Sequence, residues 1–369
     1  MSGIYVHVPF CAQKCTYCDF ASYPKEIGKC EAYFACLYKE AKYRAEQLKD
    51  KTFDTVYFGG GTPSFVDAKF ILGAMRLIRD KFNLSKDAEI TLELNPGTIN
   101  AEKVAIYGKA GINRFSVGLQ CADDSILASL NRVHTTSDFK TAARLLEGKN
   151  FSVDVMIGLE NQTIEHIKNT IDLAVKSGAS HVSLYALKAE EGTIMYSRYL
   201  NGDLPDEDEV ADRYYFSVDY LKSLGFNRYE VSNFCKRGFE SRHNMNYWLR
   251  GEYIGLGVSA SSFIDERRFT NTKSIDEYVH LLLNDKYAET FSEKIEGDER
   301  RFEYIMLALR TERGIILKEY TEKFGGDFMT RFGDRVKQLL PYLDVTSDRI
   351  KIKDEYLYVQ NNVIIQFMD

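Results

Sequence analysis

The feature that most restricts this fold is an alternation. From residue 4 to residue 187, short β-rich runs and longer helical patterns take turns. The runs near 4–8, 54–58, 89–94, 113–118, 151–157 and 181–187 read as strands. The stretches 30–49, 67–82, 101–110, 136–148 and 163–177 carry apolar residues at helical spacing. Asp67 and Thr163 stand where helix-starting side chains belong, and Gly178 where a helix stops. Repeats of this kind with short turns demand parallel β-structure and right-handed crossovers. Six repeats fall short of the eight of a closed barrel. An α/β protein is expected, built on a partial (β/α)6 TIM-like barrel with its chemistry at the C-terminal strand ends.

Those ends carry polar residues. The six runs close on His7 to Cys11, Gly59-Gly60-Gly61-Thr62-Pro63, Glu93 to Pro96, Gly118-Leu119-Gln120, Asp154 to Gly158 and Tyr185-Ala186-Leu187. Turn formers are common at any strand end, which accounts for Gly118 and Pro96. Glu93 and Asp154 are different. They stand inside apolar runs, where a carboxylate requires a partner.

The first of these ends opens the stretch Cys11-Ala12-Gln13-Lys14-Cys15-Thr16-Tyr17-Cys18. Three thiolates on one short loop can hold three corners of a cubane 4Fe–4S cluster and leave the fourth iron open. Zinc through Cys15 and Cys18 is the competing assignment, but it needs a second ligand pair at similar spacing. Cys30 and Cys36 lie in a helical stretch and make a poor second pair. Phe10, Tyr17 and Phe20 would keep solvent off the iron. Cys121 and Cys235 are scattered and read as small buried hydrophobes. An open iron can be chelated by the amine and carboxylate of S-adenosylmethionine. The glycine run would let backbone approach that amino-acid end, and Glu93 could hydrogen-bond ribose hydroxyls.

Beyond residue 190 the pattern changes. Leu204 to Glu209 opens a helix through about 223, with acids in its first turn. Then come Ser241-Arg242-His243-Asn244-Met245-Asn246-Tyr247-Trp248 and the glycine-rich Tyr253 to Ala260. From about 291, three helices are read over Glu299–Arg310, Leu317–Lys323 and Phe328–Leu340, followed by a hairpin turning at Asp354-Glu355. This gives three units: a barrel over 1–225, an extension over 226–290, and a small winged-helix-like α+β domain over 291–369.

Charge narrows the partners. The chain has 48 Lys+Arg against 54 Asp+Glu, net −6, and the last unit is also acidic, so nothing drives it toward nucleic acid or an anionic membrane surface. No run of eighteen apolar residues is present, so no transmembrane segment is expected. Met1-Ser2-Gly3 runs straight into the first strand without a signal peptide, which points to the cytoplasm. In that compartment cysteines serve metal or redox chemistry rather than disulfides.

Taken together, these stretches resemble the radical S-adenosylmethionine superfamily. Within it they are similar to the group containing oxygen-independent coproporphyrinogen III dehydrogenase and the HemW-type heme chaperones. The resemblance rests on Tyr5 to Phe20, Phe58 to Ser64, Glu93 to Pro96, Ser116 to Gln120 and Leu130-Asn131-Arg132-Val133-His134. It implies Cys11, Cys15 and Cys18 as cluster ligands. It implies Tyr5, Tyr17, Gly60, Gly61, Thr62, Glu93, Gln120, Arg132, Asp154 and Ala186 around S-adenosylmethionine.

Two positions separate the subgroups. The dehydrogenase pattern has a fourth cysteine where this chain has Phe20, and the chaperone pattern has the His-Asn-x-x-Tyr-Trp stretch found at His243 to Trp248. The resemblance implies heme bound through His243, Tyr247 and Trp248, an acceptor protein, a homodimer, and peripheral contact with membrane heme proteins. From the residues alone, His243 reads first as an imidazole hydrogen-bonded at a domain junction, and ligation is what the resemblance adds. Glu160 stands where the family usually has proline, which predicts a looser turn beside Asp154. The expected function is that of a heme chaperone. The alternative is radical decarboxylation of coproporphyrinogen III propionates, with Arg132 and Arg242 as anion contacts. A nucleic-acid-modifying enzyme is the third reading, and it lacks the basic channel it would need.

Overall fold

The structure, a computed structural model, describes residues 1–368. Asp369, the last residue of the expected 291–369 unit, lies outside them. Six strands lie side by side in chain order and parallel: β1 (Ser2–Val8), β2 (Thr52–Gly60), β3 (Asn83–Leu94), β4 (Arg114–Gln120), β5 (Asn150–Ile157) and β6 (His181–Ala186). Between them run α1 (Cys30–Gln47), α2 (Ala68–Lys81), α3 (Ala101–Ala110), α4 (Asp124–Ser129), α5 (Thr136–Leu145) and α6 (Ile164–Lys176). The expected caps are in place. The Asp67 side chain accepts from the Lys69 N–H, and Thr163 and His166 form a reciprocal capping box.

Strand alternation divides the residues between two faces. Ile4, Val6, Val8, Val56, Phe58, Leu92, Val117 and Val155 join the main apolar core. Tyr5, His7, Tyr57, Glu93, Ser116 and Asp154 occupy the alternate positions. The inner face of this partial barrel is therefore polar, and its outer face is packed.

The chain continues through α7 (Ile194–Leu200), α8 (Glu207–Ser223), β7 (Asn227–Glu230), β8 (Asn233–Cys235), α9 (Arg242–Trp248), β9 (Glu252–Leu256), β10 (Ser261–Ile264), β11 (Arg267–Asn271), α10 (Ile275–Leu283) and β12 (Glu289–Lys294). These strands extend the same sheet. β8 and β7 add antiparallel beyond β6. On the other side β9 pairs parallel with β1, from Ser2 opposite Glu252 to Val6 opposite Leu256. The order β12-β11-β10-β9-β1-β2-β3-β4-β5-β6-β8-β7 leaves two edges, so the barrel stays open. Buried Glu40 of α1 ties this flank together. It accepts from the Gly257 N–H at 2.7 Å, the Tyr278 hydroxyl at 2.6 Å and Asn271 at 2.8 Å.

The C-terminal part holds α11 (Gly297–Ala308), β13 (Ile315–Ile316), α12 (Leu317–Phe324), α13 (Phe328–Leu339), β14 (Leu343–Val345) and β15 (Arg349–Ile352). Its own apolar core gathers Tyr320, Phe328, Phe332, Ile350 and Phe367. One expectation is corrected here. No hairpin turns at Asp354-Glu355. β15 pairs backward with β14 and also with β13. Asp354–Tyr356 is a short 3-10 turn instead. Arg228 grips Asp354 at 3.0 Å, and the Tyr215 hydroxyl donates to the Glu355 carbonyl at 2.7 Å, which pins that turn to the barrel side. Among the described residues no helix is long and apolar enough to cross a membrane.

Candidate functional site

The three-cysteine loop closes one side of a cavity of about 510 Å³ at the C-terminal strand ends. The loop is tied down from outside. The Thr16 N–H donates to the Leu130 carbonyl at 3.1 Å, Asn131 donates to the Lys14 carbonyl at 2.7 Å, and the Met195 N–H of α7 donates to the Thr16 carbonyl at 3.0 Å. Opposite it stands the glycine run. A Cβ on Gly61 would lie 2.9 Å from Cys11 Sγ and from the Phe10 carbonyl oxygen. Gly60 has φ +110°, and a Cβ there would meet the His7 ring at 2.5 Å. Glycine is required at both positions by this approach. Behind the run, the Lys103 ammonium donates to the carbonyls of Ser64, Val66 and Thr98 at 2.6, 3.2 and 3.1 Å. One cation thus clamps two strand-end loops together.

The carboxylates in the apolar runs have found partners. The Tyr57 hydroxyl donates to Glu93 Oε1 at 2.7 Å, and Ser116 donates to Asp154 at 3.2 Å. Burial pushes Glu93 up to about 7 against that bond, and the nearby Asp154 adds to the rise. Burial likewise brings Asp154 to about 6. Arg132 spans the cavity wall. Its guanidinium donates to the Gly118 carbonyl at 2.7 Å and to Cys15 Sγ at 3.5 Å. Glu160 does not loosen its turn, as its carboxylate holds Arg198 of α7 at 2.8 Å. Gln162 also closes that turn by donating to the Met156 carbonyl at 2.7 Å.

Comparison with known proteins places this geometry. Residues 5–174 match the Radical SAM superfamily, and residues 295–359 match the HemN C-terminal domain. The chain is 32% identical to heme chaperone HemW of Lactococcus lactis, covering 100% of this chain and 97% of that protein. It is 32% identical to heme chaperone HemW of Bacillus subtilis over 92% of this chain and 91% of that one. With heme chaperone HemW of Escherichia coli the identity is 33%, over 84% and 82%. The chain belongs to the HemW heme-chaperone family of radical SAM proteins. Its fold is that of the solved coproporphyrinogen III oxidase HemN from Escherichia coli, with a TM-score of 0.87, covering 100% of this chain and 90% of that one at 21% identity.

Radical SAM membership implies a 4Fe–4S cluster and S-adenosylmethionine, and the donor set fits both. Cys11, Cys15 and Cys18 are free thiols lining one cavity. Among the described residues no three His, Cys, Asp or Glu side chains are grouped closely enough to hold a single ion. A cubane separates its irons, so its thiolates stand apart around a shared space. Burial raises the Cys11 and Cys18 thiols, and bound iron would supply the positive charge that ionises them.

The other expected residues of this family divide. Tyr17, Gly60, Gly61, Thr62, Glu93, Gln120, Arg132 and Asp154 all line the cysteine cavity. Ala186 does not, although its neighbours Tyr185 and Leu187 do. Tyr5 lines a second cavity of about 700 Å³ on the barrel flank, together with His7 and Tyr247. His243 lines neither cavity. It is 1% exposed, with Nδ1 2.8 Å from Thr55 Oγ1 and Nε2 2.8 Å from Tyr247 Oη. Both ring nitrogens are engaged, and burial lowers the imidazole to about 3. It has no lone pair free for an iron. Trp248 is half-buried and lines neither cavity. Arg242 is spent on Asp87, donating to its backbone carbonyl at 2.7 Å.

Sequence reasoning missed Tyr57, Ser116 and His7. The signal for the first two was the requirement that Glu93 and Asp154 be paired. Strand alternation then puts the partners on adjacent strands.

Proposed function

We propose that this chain is a heme chaperone. It binds heme and passes it to an acceptor protein, and it carries a 4Fe–4S cluster on Cys11, Cys15 and Cys18 with S-adenosylmethionine on the open iron. When bound, this pair supplies one-electron chemistry at the sulfonium. The chain's own residues do the rest. The glycine run admits the amino-acid end, Glu93 stands beside Tyr57 to take ribose hydroxyls, and Arg132 offers its guanidinium to a carboxylate. The observation that carries the chaperone reading is the second cavity. It is separate from the strand-end pocket but shares Lys14, Asp19 and Phe20 with it. Phe20 is 65% exposed on the divide, at the position where the dehydrogenase pattern has cysteine.

The test is anaerobic reconstitution with iron and sulfide, followed by heme and coproporphyrinogen III in parallel. The expected result is stoichiometric heme binding, transfer of that heme to apomyoglobin, and no protoporphyrinogen. Formation of protoporphyrinogen at a steady rate rejects the reading in favour of the dehydrogenase.

A further inference from the structure

Each of the three cysteine sulfurs has a side chain aimed at it. The Thr62 hydroxyl donates to Cys11 Sγ at 3.6 Å, and Ser22 Oγ lies 3.7 Å from Cys18 Sγ. Both of these partners are neutral. Cys15 takes its hydrogen bond from a charged group, Arg132 Nη1 at 3.5 Å.

That guanidinium is held in place by the backbone around it. It is carried by the turn after α4, where Asn131 stands in the left-handed region at φ +57°. The same turn fastens the cysteine loop, through the Leu130 carbonyl and the Asn131 side chain. The Arg132 N–H returns to the Leu127 carbonyl at 3.0 Å, and Nη2 donates to the Gly118 carbonyl at 2.7 Å. Nη1 also lies 3.4 Å from the Tyr17 hydroxyl. The segment that holds the loop therefore delivers a cation to it.

This charge lacks a counter-charge of its own. No carboxylate among the described residues makes an ion pair with Arg132. Its Nε is buried without a hydrogen-bond partner. A guanidinium cannot shed its proton, and a charge withdrawn from water needs an opposite one. Lys14 and Lys188 also line the cavity, but both are exposed, where solvent screens them. Among the described residues Arg132 is the one arginine in the lining.

We propose that Arg132 is the counter-ion of the 4Fe–4S cluster, acting through an N–H···S bond to Cys15 that raises the cluster's reduction potential. The proposal rests on the cluster assignment and holds whether or not the chain carries heme. A 4Fe–4S core on three thiolates is net negative, and one added electron makes it more so. A fixed cation at one sulfur therefore favours the reduced form over the oxidised one. Net charge and hydrogen bonds to the sulfurs are general determinants of such potentials. Arg132 keeps its proton throughout, and the electron comes from an external one-electron carrier of low potential. The guanidinium then has two duties. Nη1 serves the sulfur, and Nε–H remains for a carboxylate of the ligand on the open iron.

The experiment is an EPR-monitored redox titration of the full chain with its cluster reconstituted, poised with dithionite before S-adenosylmethionine is added. Arg132→Gln is expected to lower the reduced-to-oxidised ratio at a fixed potential about 10- to 100-fold, the scale of one charged hydrogen bond, or about 59 mV for each factor of ten. Arg132→Lys keeps the charge and is expected to recover most of that loss. Lys14→Gln removes an exposed charge and is expected to move the ratio by less than about fivefold. A role confined to holding the Gly118 carbonyl would leave the potential unmoved. A second measurement needs no variant. Wild type expressed with arginine enriched in the heavy nitrogen isotope should show, in pulsed EPR of the reduced cluster, a weak coupling to a guanidinium nitrogen.

A wild type without that coupling overturns the proposal. So does an Arg132→Gln potential no further from wild type than that of Lys14→Gln, or an Arg132→Lys potential equal to that of Arg132→Gln. In each of these cases the cluster is present and its assignment stands. A chain that assembles no 4Fe–4S signal with iron and sulfide rejects the cluster assignment together with this one.

Discussion

The two cavities of this molecule are built on opposite plans. The strand-end pocket takes its lining from consecutive turns of one repeating unit, so its parts arrive in chain order. The flank cavity collects residues from the start and from the last third of the chain, with nothing between. Their electrostatics differ as well. The strand-end pocket buries Glu93 and Asp154, and burial raises both carboxyls, against the pull of Arg114 and Arg132 at Asp154. In the flank cavity Arg250 pairs with Glu266 at 2.6 Å and with Glu303 at 2.9 Å, and the His7 imidazole is tied to Tyr5 and the Ala21 carbonyl. A site with unspent charge suits a polar, charged ligand. A site whose charges cancel internally, faced with aromatic rings, suits a flat apolar one. Two neighbouring sites can therefore share a boundary without sharing a ligand.

The largest expected effect tests that independence. Cys15→Ala should abolish the reconstituted cluster, read as loss of iron and of visible absorption, while heme stoichiometry stays at the wild-type value. Loss of heme together with the cluster would break the comparison and make the two cavities one site.

Glu93→Gln comes next. It keeps the shape but removes a charged acceptor, a contact worth about 1.5–3 kcal/mol, so affinity for S-adenosylmethionine should fall about 10- to 100-fold by anaerobic calorimetry. The same variant should change the pH dependence of the cluster-free protein. Glu93 rises from 4.5 to about 7 on folding, and Asp154 from 3.8 to about 6. The folded chain then holds more protons than the unfolded one across that window. Stability is greatest on the acid side and is lost as pH rises through about 4 to 7. Chemical denaturation of Glu93→Gln at several pH values should show that slope reduced by on the order of 1–3 kcal/mol.

A smaller effect is expected behind the glycine run. Lys103→Met strands three carbonyls, and urea unfolding should report a loss of about 1–3 kcal/mol, together with weaker S-adenosylmethionine binding and unchanged heme binding. The smallest concerns Glu160→Pro, which restores the residue usual in the family. It removes only a partly exposed pair with Arg198, so stability should move by less than about 1 kcal/mol and both ligands should bind as before.

The difference in plan also explains what could be read in advance. The six strands and their helices were legible because each repeat states its own period and its own caps. The cysteine loop and the glycine run were legible because close spacing in sequence becomes close spacing in space. The flank cavity was not legible. Tyr5 and Tyr253 reach one cavity only because β9 pairs with β1, and no local pattern announces a partner some 250 residues away. The partners of His243 were hidden for the same reason, although the residues alone favoured an imidazole hydrogen-bonded at a junction over the ligation that the resemblance implies. Its spacing to Tyr247 is visible in the sequence, but Thr55, which occupies its other nitrogen, comes from β2. The misplaced hairpin shows the limit within one small domain. β14 has three residues, two of them exposed, so its alternation is too short to compete with the apolar Tyr356 to Val359.

The pairing of β9 with β1 also has a kinetic side. β1 precedes the other strands of its sheet in the chain, yet one of its two neighbours is complete only at Leu256. Contacts spanning that much chain are slow to form, since the loop between them must first be closed. During synthesis the strand that feeds the cysteine loop therefore waits with one edge bare while some two-thirds of the polypeptide emerges. Assembly has an order in which the parallel repeats come first, the flank is sealed later, and the loop stands on a fully supported strand only at the end.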